Sequence, residues 1–222
     1  GLARDGPSAL TAAPATPSKK GASVKDAVRA SDFWLLALAV TMTGTSTMII
    51  VVHQTRMLVD MGYGLPAASL FFGMLGVLRA VGGLIWGPLS DRIGRSAVVL
   101  VICAISIVGL VLLWLTSLVP AEFIALRVAL LAGYLLMFGL GYNGIAPVYA
   151  SAVSDRFARR NLGTILGLLD LGFGLGSALG PWWAGWMFDR YGNYDAVIAG
   201  VALGVVLTGL GLWAATRGRR PA

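Results

Sequence analysis

Two charged side chains stand inside long apolar runs of this sequence. Arg79 follows Leu75-Gly76-Val77-Leu78, and Asp170 follows Leu166-Gly167-Leu168-Leu169. A charge at the centre of a bilayer costs about 2.5–3.5 kcal/mol on insertion scales, so each is a candidate for work on a substrate or a coupling ion. As a pair they could also do no more than lock two helices together. A third candidate group is Tyr142 and Asn143, set in Gly139-Leu140-Gly141-Tyr142-Asn143-Gly144 and followed by Pro147. Proline has no N–H for the carbonyl of residue 143, so a helix running through here is expected to kink. Glycine and proline interruptions near the midplane point to a transporter binding site. His53 is the sole histidine. An imidazole suits either proton coupling or a plain interfacial position.

The same inventory excludes several kinds of chemistry. One histidine and one cysteine, Cys103, leave no material for a histidine metal site, a Ser-His-Asp hydrolase or a disulfide scaffold. An intramembrane serine protease would need a histidine after its serine, and His53 precedes nearly all candidate serines. No metal, cofactor or catalytic residue is expected.

The elements that must carry these residues follow from composition. The chain has 222 residues, 57% hydrophobic and 12% charged. An average soluble domain carries roughly 25% charged residues, so this chain is too apolar for a soluble globule. Six segments reach the length of about 20 apolar residues that a bilayer span needs. They are expected at 33–59, 66–88, 96–118, 122–151, 161–187 and 194–216. The fold class is therefore an all-α membrane protein of six transmembrane helices. Arg79 and Asp170 each fall nine residues from the expected cytoplasmic end of their spans, about 13 Å at the helical rise. Half of the hydrocarbon core is about 15 Å. Both are thus expected near the midplane at one level, with Tyr142 and Asn143 as a third member.

Orientation follows from the basic residues. Of 17 Lys and Arg, 13 fall in the two tails and the loops at one side, three at the other, and Arg79 lies within a span. This bias places both termini in the cytoplasm. Charge spread over short loops does not form a nucleic-acid patch, so no nucleic-acid partner is expected. Residues 1–30, rich in Ala, Pro, Ser, Thr and Gly, read as a flexible cytoplasmic linker, 31–216 as the six-helix bundle, and 217–222 as a basic tail. The chain opens on Gly1 rather than Met and is expected to be a fragment. Glycines recur every fourth residue at Gly163, Gly167, then Gly172, Gly176 and Gly180, spacing that lets helix backbones approach closely.

After the second span the sequence reads Gly87-Pro88-Leu89-Ser90-Asp91-Arg92-Ile93-Gly94-Arg95. It resembles the G-x-L-x-D-R-x-G-R signature of the major facilitator superfamily. Gly87 would permit a close helix approach and Gly94 a tight turn, Asp91 would face a helix amino end, and Arg92 and Arg95 would hold the loop at the cytoplasmic face. In the fifth span, Gly176, Gly180-Pro181 and Ala184-Gly185 are similar to the antiporter motif of that superfamily, a row that would let the helix bend and slide. Asp189 to Tyr194, and His53 to Gly62, resemble stretches of its monocarboxylate-type members in the carboxyl-terminal half. The resemblance implies one six-helix half of a twelve-helix transporter, covering about residues 31–216. In such members an arginine eight residues before the signature aspartate binds substrate; here that position is Gly83, and Arg79 lies one turn earlier.

The function so implied is secondary active transport of a small solute, an organic anion such as a carboxylate, by alternating access. Its partners would be the lipid bilayer, the substrate with a coupled proton, and a missing amino-terminal six-helix half, in the plasma (cell inner) membrane. Substrate-pathway residues are then Arg79, Tyr142, Asn143, Asp170 and His53; the signature loop is Gly87, Asp91, Arg92, Gly94 and Arg95; the bending motif is Gly176, Gly180, Pro181 and Gly185. The alternatives are a drug or amphiphile efflux antiporter of the same superfamily and a non-transporting polytopic membrane protein.

Overall fold

The computed structural model describes residues 23–157 and 161–217. Eight α-helices follow in order: α1 (Val24–Arg29), α2 (Ser31–Asp60), α3 (Leu65–Ile93), α4 (Arg95–Leu118), α5 (Ile124–Tyr134), α6 (Ile145–Arg156), α7 (Leu162–Tyr191) and α8 (Asp195–Thr216). No strand occurs among the described residues. Five helices, α2, α3, α4, α7 and α8, are long and apolar enough to cross a membrane. The expected fourth span, 122–151, is instead a broken helix. After α5 come a π-helical turn, Leu135–Gly139, and a 3-10 turn, Tyr142–Gly144, before α6 begins. The break has a local cause. Restarting at Ile145 puts Pro147 in the first turn of α6, where a missing N–H leaves no carbonyl unpaired.

Several helices outrun their apolar stretches. α2 and α7 each have 30 residues, about 45 Å at the helical rise, against a hydrocarbon core of about 30 Å. α3 does not stop at residue 88 but continues through Asp91 and Arg92 to Ile93. The signature stretch is thus mostly helix, and the turn is the single residue Gly94, with φ +94° and ψ 142°, a conformation that suits glycine alone. Arg92 lies in the last turn of α3, where a cation complements the helix dipole.

Of the linker expected over residues 1–30, residues 24–29 are helical; residues 1–22, and 218–222 of the basic tail, lie outside the described residues. Ser23 and Asp26 form a capping box at the start of α1, with the Ser23 hydroxyl donating to Asp26 Oδ2 at 2.7 Å. Ala27 is buried, and the Trp34 indole donates to the Val28 carbonyl at 2.9 Å. A capping box followed by small and β-branched residues folds against a neighbour although its composition reads as linker.

α2 is the central helix. It packs along α7 and α8, while α4 packs on α8 and α5, and α3 on the broken helix. The α2–α7 contact is backbone against backbone. A Cβ added at Gly176 would lie 2.1 Å from the Thr41 carbonyl oxygen, and one at Gly44 would lie 2.4 Å from that of Phe173. The glycine row therefore packs from Gly172 to Gly180, whereas Gly163 and Gly167 face open space. Between α3 and the broken helix, the close approach falls at Gly82, 2.3 Å by the same measure from the Leu140 carbonyl oxygen. Gly87, expected to serve it, is in ordinary contact with Pro147 at 3.7 Å. α3 and α7 remain the least covered spans: 17% of the most apolar window of each is buried, against 44–50% for α2, α4 and α8. The faces left open thus belong to the two helices that carry Arg79 and Asp170.

Candidate functional site

Arg79 sits at the middle of α3, fourteen residues from its Ile93 end, whereas Asp170 is eight residues from the Leu162 start of α7. At 1.5 Å per residue these distances from the helix ends are about 21 and 12 Å. The two counts differ because α3 extends past its apolar run, so the helix ends are not a common reference for depth. The two helices are also not packed against each other. Each charge has a different neighbour on the broken helix. Arg79 is electrostatically coupled to Tyr134, whose hydroxyl donates to Gln54 Oε1 at 3.0 Å. Tyr134 and Gln54 are both fully buried. Asp170 is exposed on α7 and bears electrostatically on Tyr149 of α6.

Tyr142 does not line the pathway expected for it. It is 1% exposed and turns into the bundle, 3.2 Å from the Thr208 hydroxyl and 3.4 Å from the Met42 carbonyl it donates to. Thr208 in turn donates to the Ala39 carbonyl at 3.2 Å and lies 3.3 Å from the Thr43 hydroxyl. The knot ties the break to α2 and α8. A buried hydroxyl must find a partner, and the carbonyls and hydroxyls that answer Tyr142 lie inside the bundle. The Asn143 side chain lies outside the described residues, although its backbone forms part of the 3-10 turn. Tyr134, Phe138 and Tyr142 stack along the broken helix, with ring centroids 5.7 and 5.4 Å apart. On the α3 side, the Trp86 indole donates to the Leu140 carbonyl at 2.5 Å.

His53 is half-buried, with Nε2 3.0 Å from the Pro181 carbonyl oxygen. It joins α2 to the proline of α7, so Nε2 carries the proton in this contact. Pro181 is accommodated inside an unbroken α7. Gly180, like Gly176, meets α2 closely, 2.8 Å by the Cβ measure from the Thr45 carbonyl oxygen, whereas Gly185 is only in ordinary contact with the His53 ring.

The signature residues organise one end of the bundle. Arg95 lies 3.6 Å from Asp91 and 2.5 Å from Asp155, at the ends of α3 and α6. Arg156 pairs with Asp32 at the start of α2. Arg92 is exposed. Four helix ends are thus linked by carboxylates, of which Asp155 and Asp32 are passed over in the sequence reading. The signal was there: Ser90-Asp91-Arg92 recurs as Ser154-Asp155-Arg156. At the opposite end, Arg56 pairs with Asp60 at 2.9 Å, and the Tyr194 hydroxyl donates to Asp60 at 3.1 Å. Burial, then the bond to Asp60, pushes that hydroxyl up to about 12. Arg127 is buried, donates to the Met61 carbonyl at 2.5 Å and lies over the Tyr63 ring at 4.9 Å.

Comparison with known proteins places this arrangement. The family model of the Major Facilitator Superfamily matches residues 13–222. The chain is 28% identical over 142 residues to the gallate transporter of Pseudomonas putida, covering 64% of this chain and 29% of that protein. It is 26% identical over 195 residues to monocarboxylate transporter 13 of Bos taurus, covering 85% of this chain and 44% of that one. The solved structure of a peptide transporter in complex with sulfate superposes with a TM-score of 0.69 at 21% identity, over 82% of this chain and 37% of that chain. The chain spans less than half the length of each of these relatives.

Proposed function

The chain belongs to the major facilitator superfamily, a family of transporters rather than enzymes, and we propose that it forms the carboxyl-terminal half of a secondary transporter for a small organic anion. The six-helix bundle, one span of it broken, would be one wall, and a second six-helix bundle ahead of it in the full protein the other. The two would rock about a site between them. We place the chain in the plasma membrane with both termini in the cytoplasm, on the 13-to-3 division of basic residues. The signature end, with Asp91, Arg95, Asp155 and Asp32, is then the cytoplasmic end.

The observation that carries the anion reading is Arg79. It stands at the middle of α3 on one of the two least covered spans, coupled to a tyrosine that is itself held by Gln54. A guanidinium offers several N–H donors in a fixed fork, which suits a carboxylate. The names of the gallate and monocarboxylate transporters agree with that substrate class. They do not favour the efflux alternative.

The test is uptake into proteoliposomes by the full-length protein, with gallate and lactate as probes. A hydrogen bond to a charged group is worth about 1.5–3 kcal/mol. Arg79→Gln should therefore lower kcat/KM for the transported probe by roughly ten-fold or more, with Arg79→Lys losing less. Uptake unchanged in Arg79→Gln would refute the anion site.

A further inference from the structure

Arg127 is a charge that the fold buries without a counter-charge. The residue lies in the first turn of α5 and is 6% exposed. Among the described residues no carboxylate forms an ion pair with it. Asp60, beside the turn that Arg127 reaches, is taken by Arg56 and Tyr194, and Glu122, five residues earlier, is exposed. A guanidinium keeps its charge in a protein, and a buried charge is normally paired. One N–H reaches the Met61 carbonyl at 2.5 Å, and the group lies over the Tyr63 ring at 4.9 Å. Neither contact cancels the charge, and two donors are left over. Arg127 Nε and the Tyr63 hydroxyl are both buried without a hydrogen-bond partner, on side chains already stacked on each other. Burial pushes the Tyr63 hydroxyl above the ordinary phenol range, against the pull of Arg127, so it keeps its proton to donate.

We propose that Arg127 and Tyr63 hold a monatomic anion of the chloride class beneath the turn between α2 and α3. The anion accepts from Arg127 Nε and from the Tyr63 hydroxyl, and its charge answers the guanidinium. The inference needs the fold alone and does not rest on the transporter reading. Its site is separate from Arg79, which lies fourteen residues into α3 from Leu65, about 21 Å from the turn at the helical rise.

The surroundings select this ligand. Water would supply an acceptor but no charge. A guanidinium this covered favours a single atom over a carboxylate. The backbone N–H groups of Met61, Gly62 and Tyr63 are already bonded to carbonyls of α2, so the two side chains are the donors. The turn also offers an approach, because a Cβ added at Gly62 meets nothing within 4 Å. Tyr63 packs edge-on against Phe71 of α3, with ring centroids 6.2 Å apart. The anion therefore fastens α5 to the end of α2 and the start of α3, and its binding should be visible as stability.

The experiment follows thermal unfolding of the full-length protein in detergent while potassium chloride replaces potassium gluconate at fixed ionic strength. An ion that binds only the folded state raises the midpoint as its concentration passes Kd. The wild type should gain several degrees, and potassium bromide should act like chloride. Tyr63→Phe should need about three times the chloride for the same rise, and Arg127→Gln about ten times or more. Arg79→Gln should respond as the wild type does. A midpoint indifferent to chloride would mean that water fills the place, and would overturn the anion site. So would a chloride response kept in full by Arg127→Gln or by Tyr63→Phe, or one lost in Arg79→Gln. Should Arg127→Gln fail to fold, Tyr63→Phe decides alone, and an unchanged chloride requirement overturns the site.

Discussion

Tyr142 shows how far a residue can be read from its neighbours in sequence. Glycine on both sides and a following proline mark an interruption, and the interruption is there. The direction of the side chain is not in that pattern, because it depends on Thr208 and Met42, which lie 66 and 100 residues away. Its role is to fasten the break to α2 and α8. Interhelical hydrogen bonds in membranes average about 0.6 kcal/mol and reach about 1.7. Tyr142→Phe and Thr208→Val should each lower unfolding free energy by about that much, and the double variant by less than the sum. Neither should change KM for the probe. Additive losses, or a raised KM in Tyr142→Phe, would return Tyr142 to the pathway. Arg79 and Asp170 were legible as charges out of place, but not their neighbours: Tyr134 and Tyr149 look like ordinary aromatic residues of an apolar segment until the fold brings α3 and α7 beside them.

At the scale of elements, helix existence was legible and helix ends were not. Hydropathy marks what lies in lipid, whereas α2, α3 and α7 continue into water until a cap or a glycine stops them, as Gly94 stops α3. Distance counted from a helix end therefore does not measure depth in lipid where the helix projects beyond its apolar run, as α3 does. The glycine row of α7 illustrates the same limit. Five glycines fall in two runs of four-residue spacing, yet only the run from Gly172 to Gly180 meets α2 closely, because α2 turns its small face to that part of α7 alone. Gly176→Leu must force the helices apart, and overpacking of this kind costs about 1–3 kcal/mol or more. Gly167→Leu adds a side chain to open space. Thermal unfolding in detergent should show a clear loss of stability for Gly176→Leu and little change for Gly167→Leu. Equal losses would mean that the row acts through helix propensity rather than through contact with α2.

For the molecule as a whole, the open faces of α3 and α7 are the central fact. Two of its five long spans are only one-sixth covered over their most apolar windows, and the chain spans less than half of each compared relative, which agrees with the proposal that a second bundle faces them. The proposed topology makes a simple prediction. Reporter fusions at Met61 and at Ser96 should report opposite sides of the membrane, with Ser96 cytoplasmic; a shared side would contradict it. The chain reconstituted alone should give no saturable uptake of gallate or lactate, since the proposed site needs a second bundle as its other wall.

The central claim is that Arg79 faces water at the middle of the membrane, not lipid and not the interior of the bundle. Gly83 lies one turn from Arg79, and a Cβ added there meets nothing within 4 Å. In the full-length protein with Cys103→Ser, a Gly83→Cys variant should react with a membrane-impermeant thiosulfonate. Its rate should fall within roughly ten-fold of an exposed helical cysteine at full solvent access, and gallate or lactate should slow it. A Gly83→Cys thiol that stays unreactive to the impermeant reagent while a lipid-soluble maleimide labels it would place this face in lipid, and would contradict the account.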